Sequence, residues 1–280
     1  MKKSDINQYL RPLKPLPTSL AARGELRERI ECILFDVYGT LFISGSGDIS
    51  VSQKNSPAND RIKQLLKKYS IRRSPEDILD KLHGSIKARH GALRSKGVDH
   101  PEVIIDQIWQ QVLDFEDQNL IKQFAIEFEL ISNPVSPMPN LKTMLSACRK
   151  QKILMGIISN AQFYTPLLFD WFFNSNMQDL GFDPDLLFYS FQHQVAKPSP
   201  ALFDMAADNL AARGIEPAAV LYIGNDMLND IYPAHSIGFQ TALFAGDQRS
   251  LRLRTDDPRC ANLKPDLVLT DLLQLISHVQ

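Results

Sequence analysis

Four short apolar runs in this 280-residue chain each end on side chains that can do chemistry. Asp36 follows residues 32–35, in FDVYGTLF. Ser159 and Asn160 close the run 153–158, in IISNAQ. Lys197 stands in QVAKPSP, a short loop past 186–189. Asp226 and Asp230 come from GNDMLND, after 220–223. A carboxylate can act as a nucleophile and carry a covalent ester, which divides one hard hydrolysis into two easier steps. A hydroxyl and an ammonium beside it can balance charge that develops on a bound anion. Tyr38 is the odd member. Its phenol, with a reference pKa near ~10, can donate a proton but is a poor base at neutral pH. Any one of these residues alone could be a cap, a turn or a surface group. Together they point to a site, with Gly39 and Thr40 shaping the turn after Asp36.

For these side chains to meet, the runs must be neighbouring strands. Residues 32–35, 153–158, 186–189, 220–223, 241–244 and 267–269 have the length and composition of buried strands. Helix-length segments alternate with them at 141–150, 165–173 and 200–213. The last reads with Ser199 as N-cap, Pro200 at the first helical position and Gly214 just past the end. This alternation implies an α/β core: a Rossmann-like parallel sheet covered on both faces. In such a sheet the carboxyl ends of the strands form the ligand crevice.

Residues 56–133 break the rhythm. Four amphipathic helices are expected there, opened by Ser56-Pro57, Ser74-Pro75, Pro101 and Asn119, the first with Ile62, Leu65, Leu66 and Tyr69 on one face. The resulting division is an N-terminal extension (1–30), a core (31–50 and 134–280) and an inserted helical module (51–133). The three prolines of 133–139 mark the hinge back to the core.

The net charge of -1 argues against a general electrostatic grip on nucleic acid or anionic lipid. Residues 1–30 carry seven Lys/Arg against three acids and read as a solvated extension. An apolar share of 44% suffices for a packed interior, yet no run approaches the length of a membrane span. Cys32, Cys148 and Cys260 lie far apart, which suggests neither a disulfide framework nor a thiolate zinc site. A reduced, cytoplasmic protein is expected, with no nucleic-acid or membrane partner.

Asp-x-Tyr-Gly-Thr at 36–40, Ser-Asn at 159–160, Lys-Pro at 197–198 and Asp-x-x-x-Asp at 226–230 occur in this order, each at a strand end. In this the chain resembles the haloacid dehalogenase-like superfamily of hydrolases over most of residues 31–280. The inserted helices resemble the α-helical cap of its subgroup I. The resemblance implies a small phosphorylated substrate and an aspartyl-phosphate intermediate on Asp36. Two anions approach only if something neutralises them, which calls for magnesium, a hard cation that takes oxygen ligands. Asp36, the carbonyl of Tyr38 and Asp226 would bind Mg2+, with Asp230 holding a metal-bound water or Lys197. Ser159 would donate to phosphoryl oxygens beside Asn160, and Lys197 would balance their charge.

Phosphatases of this superfamily usually carry an aspartate acid/base where Tyr38 stands. Its L-2-haloacid dehalogenases also carry Asp-x-Tyr-Gly-Thr, use no metal and release a halide that needs no proton. Those enzymes lack a carboxylate at the position of Asp226, and two carboxylates beside Asp36 without a cation would be costly. The fourth motif therefore favours a magnesium-dependent phosphatase. A metal-free 2-haloacid dehalogenase is the alternative, and a weakly catalytic member that binds a phosphorylated ligand or a partner protein is the third reading. Asp48 is a candidate for the missing acid.

Overall fold

The computed structural model describes residues 3–46 and 57–279. Asp48 and Ser56 lie outside the described residues. Among the described residues there are nine strands: β1 (Arg23–Gly24), β2 (Cys32–Phe35), β3 (Phe42–Ser44), β4 (Val135–Pro137), β5 (Leu154–Ser159), β6 (Phe182–Tyr189), β7 (Val220–Gly224), β8 (Gln240–Phe244) and β9 (Leu267–Leu269). Seven form one sheet in the order β1-β9-β8-β7-β2-β5-β6, parallel except for the edge pair β1–β9. All six runs expected to be strands are in this sheet. β2, at its centre, has no exposed side chain, because both faces are covered and only an apolar run can occupy that place.

The helices are α1 (Lys3–Ile6), α2 (Pro57–Lys68), α3 (Pro75–Arg94), α4 (Ile105–Leu113), α5 (Gln118–Ser132), α6 (Leu141–Lys150), α7 (Leu167–Phe173), α8 (Ser190–His193), α9 (Ala201–Ala211), α10 (Tyr232–Ser236) and α11 (Gln274–His278). Two core layers flank the sheet. Phe35, Ile157 and Leu221 belong to one, and Leu34, Ile158 and Tyr222 to the other, as alternation along each strand requires. No helix among the described residues is long and apolar enough to cross a membrane.

α2 to α5 pack on one another around Trp109, whose ring meets Phe124 at 4.9 Å and Phe128 at 4.7 Å. Edge-to-face pairs of this kind add about 0.5–1.5 kcal/mol each beyond burial. α3 opens as expected, with Ser74 Oγ accepting from the Asp77 amide at 3.1 Å. Two helix starts are corrected. Asp117 caps α5 instead of Asn119, accepting from the amides of Asn119 and Leu120. Pro101 starts no helix. It sits in an extended strap that bridges to Val195, with the Glu102 amide on Gln194 O and the Ala196 amide on His100 O. Proline fits an extended edge as readily as a first helical turn, and here the strap braces the loop that carries Lys197.

The hinge stretch also takes regular form: β4 pairs antiparallel with β3, just past the turn that follows Asp36. Most described side chains of residues 1–30 are exposed, as expected of a solvated extension, yet the segment is anchored at a few points. Ile6 and Ile30 are buried in the main core, and β1 completes the sheet edge. Tyr9 donates to Glu127 at 2.7 Å, a fully buried carboxylate that also receives Lys68 at 2.7 Å. This segment is tied down by side chains more than a hundred residues away, which its own composition does not announce.

Candidate active site

Asp36 sits where β2 ends. Its amide donates to Ile223 O at 2.9 Å, and the chain then turns so that the Gly39 amide reaches Phe42 O at 2.6 Å. Gly39 has φ +87°, and a Cβ there would lie 2.5 Å from the Ser250 Cβ, so the turn requires glycine twice over. Gly224 is a second obligatory glycine. A Cβ at that position would lie 2.3–2.4 Å from Asp230 side-chain atoms. Removing that carbon is what lets Asp230 fold back beneath the strand ends.

Lys197 is the hub of the floor. Its Nζ donates to Asp36 Oδ1 at 2.8 Å, to Asp230 Oδ1 at 2.5 Å and to Tyr222 Oη at 3.0 Å. Burial alone would pull this ammonium down, but Asp230 and Asp36 together outweigh it and hold it above the usual lysine range. Ser159 is fully buried and donates to Asp36 Oδ1 at 2.9 Å. Asn160 clamps the main chain of Lys197: its Oδ1 accepts the Lys197 amide at 2.7 Å and its Nδ2 donates to Lys197 O at 3.1 Å. Asp230 also accepts from Tyr222 Oη at 3.0 Å and, on Oδ2, from the Asp226 amide at 2.9 Å. Burial raises its carboxyl to about 6, opposed by Lys197 and reinforced by Asp36 and Asp226.

Tyr38 Oη and Thr165 Oγ1 share a hydrogen bond of 2.9 Å. Burial above all, then the nearby carboxylate of Glu129, pushes the phenol far above its ordinary value, so it stays neutral.

Asp226 is held differently. It caps a π-helical turn (Met227–Ile231), accepting the amides of Leu228 and Asn229 on Oδ1. Oδ2 receives Asn229 Nδ2 at 3.1 Å and Arg254 Nη2 at 2.6 Å, and Arg254 Nε lies 3.0 Å from Oδ1. A carboxylate has about four acceptor directions, and here they are taken. Magnesium demands near-ideal octahedral oxygen ligands at about 2.0–2.1 Å. With Asp226 filled by a guanidinium and Asp230 spent on Lys197, Tyr222 and an amide, this donor set does not fit magnesium. Among the described residues no group of three or more His, Cys, Asp or Glu is placed to hold a metal.

Asp36, Tyr38, Asn160, Lys197, Asp226 and Asp230 border a cavity of ≈ 400 Å³ whose far side is made by α3, the strap, α4 and α5, while Ser159 lies buried behind it. Leu82, Ile86, Trp109 and Phe128 line it with apolar surface, and Glu102 and Glu129 face into it. Burial raises both of these carboxyls. Glu129 accepts Asn133 Nδ2 at 3.1 Å, and Glu102 accepts Ser190 Oγ at 2.9 Å.

Asp36, Ser159, Lys197 and Asp230 thus form one hydrogen-bonded unit, with Asn160 behind it, Tyr38 beside it and Asp226 turned to Arg254. Sequence reasoning missed Tyr222, Glu102, Glu129, Arg252 and Arg254. For the two arginines a signal existed. In SLRLR the basic residues alternate with leucines, which puts them on one side of an extended segment.

A haloacid dehalogenase-like hydrolase model matches residues 30–238. No curated protein matches the chain. Among solved structures, a predicted phosphoglycolate phosphatase from Haemophilus somnus 129pt is 19% identical, with TM-score 0.51, covering 91% of this chain and 100% of that one. A 2-haloacid dehalogenase from Pseudomonas syringae pv. Tomato DC3000 is also 19% identical, with TM-score 0.51 and coverage of 89% and 98%. A HAD phosphatase from Thermococcus onnurineus is 17% identical, with TM-score 0.51 and coverage of 89% and 97%. At such identities the likeness concerns the fold alone, and both activities occur on it. With the family model covering well over half its length, the chain belongs to the haloacid dehalogenase-like hydrolases.

Proposed function

We propose that the chain hydrolyses a small phosphorylated metabolite, with Asp36 as the attacking group. The carrying observation is how Asp36 is held. Both side-chain hydrogen bonds it accepts among the described residues, from Ser159 and Lys197, fall on Oδ1, at the edge of the cavity. Oδ2 then attacks phosphorus, the bond from phosphorus to the leaving oxygen breaks, and an aspartyl phosphate forms. Water attacks that phosphorus next, releasing phosphate and restoring the carboxylate. Lys197 balances charge on the transferring group. The leaving oxygen takes its proton from Glu129, which lines the same cavity and whose carboxyl burial keeps protonated to higher pH. Magnesium is assigned no step, because Asp226 faces Arg254.

Tyr38 supports a second reading. A phenol locked to Thr165 and held neutral is no base, and halide departure needs no proton. In that case Asp36 attacks C2 of a 2-haloacid, halide leaves, and water cleaves the resulting ester to a 2-hydroxy acid. Acetyl phosphate, para-nitrophenyl phosphate, a sugar phosphate and 2-chloropropionate, each assayed with magnesium and with a chelator, separate the two. Phosphate release that disappears in Asp36→Asn is the expected result. Halide release without phosphate release would replace the first reading by the second.

A further inference from the structure

We infer that the Arg254 guanidinium is the built-in counter-cation of this site, holding the place beside Asp226 that a divalent ion would otherwise fill. The inference deepens the hydrolase reading and rests on it for the role of Asp36.

The main chain delivers Arg254 to this place. The Arg252 amide donates to Asn225 O at 3.0 Å and the Met227 amide donates to Arg252 O at 2.9 Å, so residue 252 bridges residue 226. Two residues on, the chain turns with φ +52° at Arg254, and the Asp257 amide closes that turn on Arg254 O at 3.0 Å. The side chain emerges beside Asp226 and engages both carboxylate oxygens through Nε and Nη2. This fork geometry is available to arginine and not to lysine.

The carboxylate end of this pair is buried, with Asp226 only 6% exposed, while the Arg254 side chain is 37% exposed and reaches in from the rim of the cavity. Removing one partner of a buried ion pair leaves the other uncompensated, and here the guanidinium contacts both oxygens of Asp226. Asp226 cannot swing toward an ion near Asp36 while the amides of Leu228 and Asn229 and the guanidinium all hold it. Three carboxylates, Asp36, Asp226 and Asp230, meet two protein cations, Lys197 and Arg254. An arginine loses no proton at any working pH, so Arg254 lowers the excess negative charge of the floor from two to one without a bound metal. Arginine also stabilises the charge of a transferring phosphoryl group, and Arg254 lines the same cavity as Asp36.

The test is calorimetric titration of magnesium chloride into the wild-type chain and Arg254→Ala, with turnover of acetyl phosphate followed in chelator. The wild type should show no saturable uptake at millimolar magnesium, and chelator should leave its turnover unchanged. Arg254→Ala should gain saturable uptake and, without metal, lose roughly 10²–10³-fold in turnover, the scale of one lost charge-stabilising donor. Added magnesium should restore part of that loss. Saturable uptake by the wild type overturns the inference, and so does absence of uptake in both proteins. Should thermal melts show Arg254→Ala unfolded, Arg254→Gln keeps most of the stem and serves in its place. Metal uptake is read without substrate. A failed hydrolase reading therefore appears as absent turnover with the uptake pattern intact, and a failed inference as an altered uptake pattern.

Discussion

On the floor of the cavity the carboxylates face cations, Asp36 and Asp230 sharing Lys197 and Asp226 facing Arg254. On the opposite side Glu102 and Glu129 sit among apolar side chains with neutral hydrogen-bond partners, and burial raises both. His90 there has a buried Nε2 with no partner among the described residues. Burial beside Arg94 pushes its imidazole down. Two carboxyl populations thus border one cavity: one paired with cations, although burial still raises Asp230, and one with neutral partners only, which burial biases toward its protonated form. Pairs of carboxyls whose environments drive them apart are how a site acquires a nucleophile and an acid.

The sharpest way to break this division is to remove the charge of the nucleophile. Asp36→Asn keeps shape and leaves Ser159 an acceptor, so the fold should survive by thermal melt. Turnover should fall roughly 10⁴–10⁶-fold, as when other covalent nucleophiles are removed. Activity retained in that variant would take Asp36 out of the chemistry.

The acid side is tested next. Glu129→Gln should cost about 10²–10⁴-fold on an alkyl phosphate and little on acetyl phosphate, whose leaving group departs without a proton. The sign with pH follows from the raised carboxyl. The acid form works below its pKa, so the wild-type rate on an alkyl phosphate should fall as pH rises through that value. Glu129→Gln should lack that fall, and an unaltered pH profile in the variant would shift the role to another group.

The same contrast explains what could be read in advance. A residue just past a buried strand has one place to go, the crevice at the strand ends. The alternation of runs therefore locates Asp36, Ser159, Lys197 and Asp230 together. A helix shows which face is apolar but not which cavity that face covers, so Glu129 stays hidden among the apolar positions of α5. Arg254 depends on a loop bridging back to residue 226, and Tyr9 on a carboxylate 118 positions away. Both contacts are non-local, and no local period encodes them. Pro101 misleads for a different reason, since its fixed φ suits an extended strap as well as a helix start. The electrostatic argument from three clustered carboxylates asks for a cation and carries no sign of an arginine 28 residues past Asp226.

A smaller effect probes Asp230, whose folded-state carboxyl is raised to about 6. An unfolded aspartate titrates near ~4, so between these values the native chain binds a proton that the unfolded chain does not. Stability from this group is therefore present in full below about pH 4 and is lost as pH rises through about 6. The stability of wild type relative to Asp230→Asn should decline from pH 4 to pH 7, by on the order of 2 kcal/mol. Urea midpoints at several pH values read it. A difference that grows with pH would mean that Lys197 dominates over burial.

Tyr38 carries the smallest expected effect, and the most informative one for the acid. The residue stands two positions past the nucleophile, yet its hydroxyl is committed to Thr165, which is itself fully buried. Among the described residues, Tyr38→Phe leaves Thr165 Oγ1 with only the Gln162 amide at 3.3 Å, a weak bond. Losing one buried hydrogen bond should cost about 1 kcal/mol of stability. If the phenol only packs and braces α7, turnover of alkyl and acetyl phosphates should drop by the same small factor, because nothing specific to the leaving group is removed. If the phenol is the acid, the alkyl phosphate alone should slow, by roughly 10²-fold or more. Glu129→Gln and Tyr38→Phe assayed side by side therefore assign the proton to one wall of the cavity or the other, and a selective loss in Tyr38→Phe would return the acid to the floor.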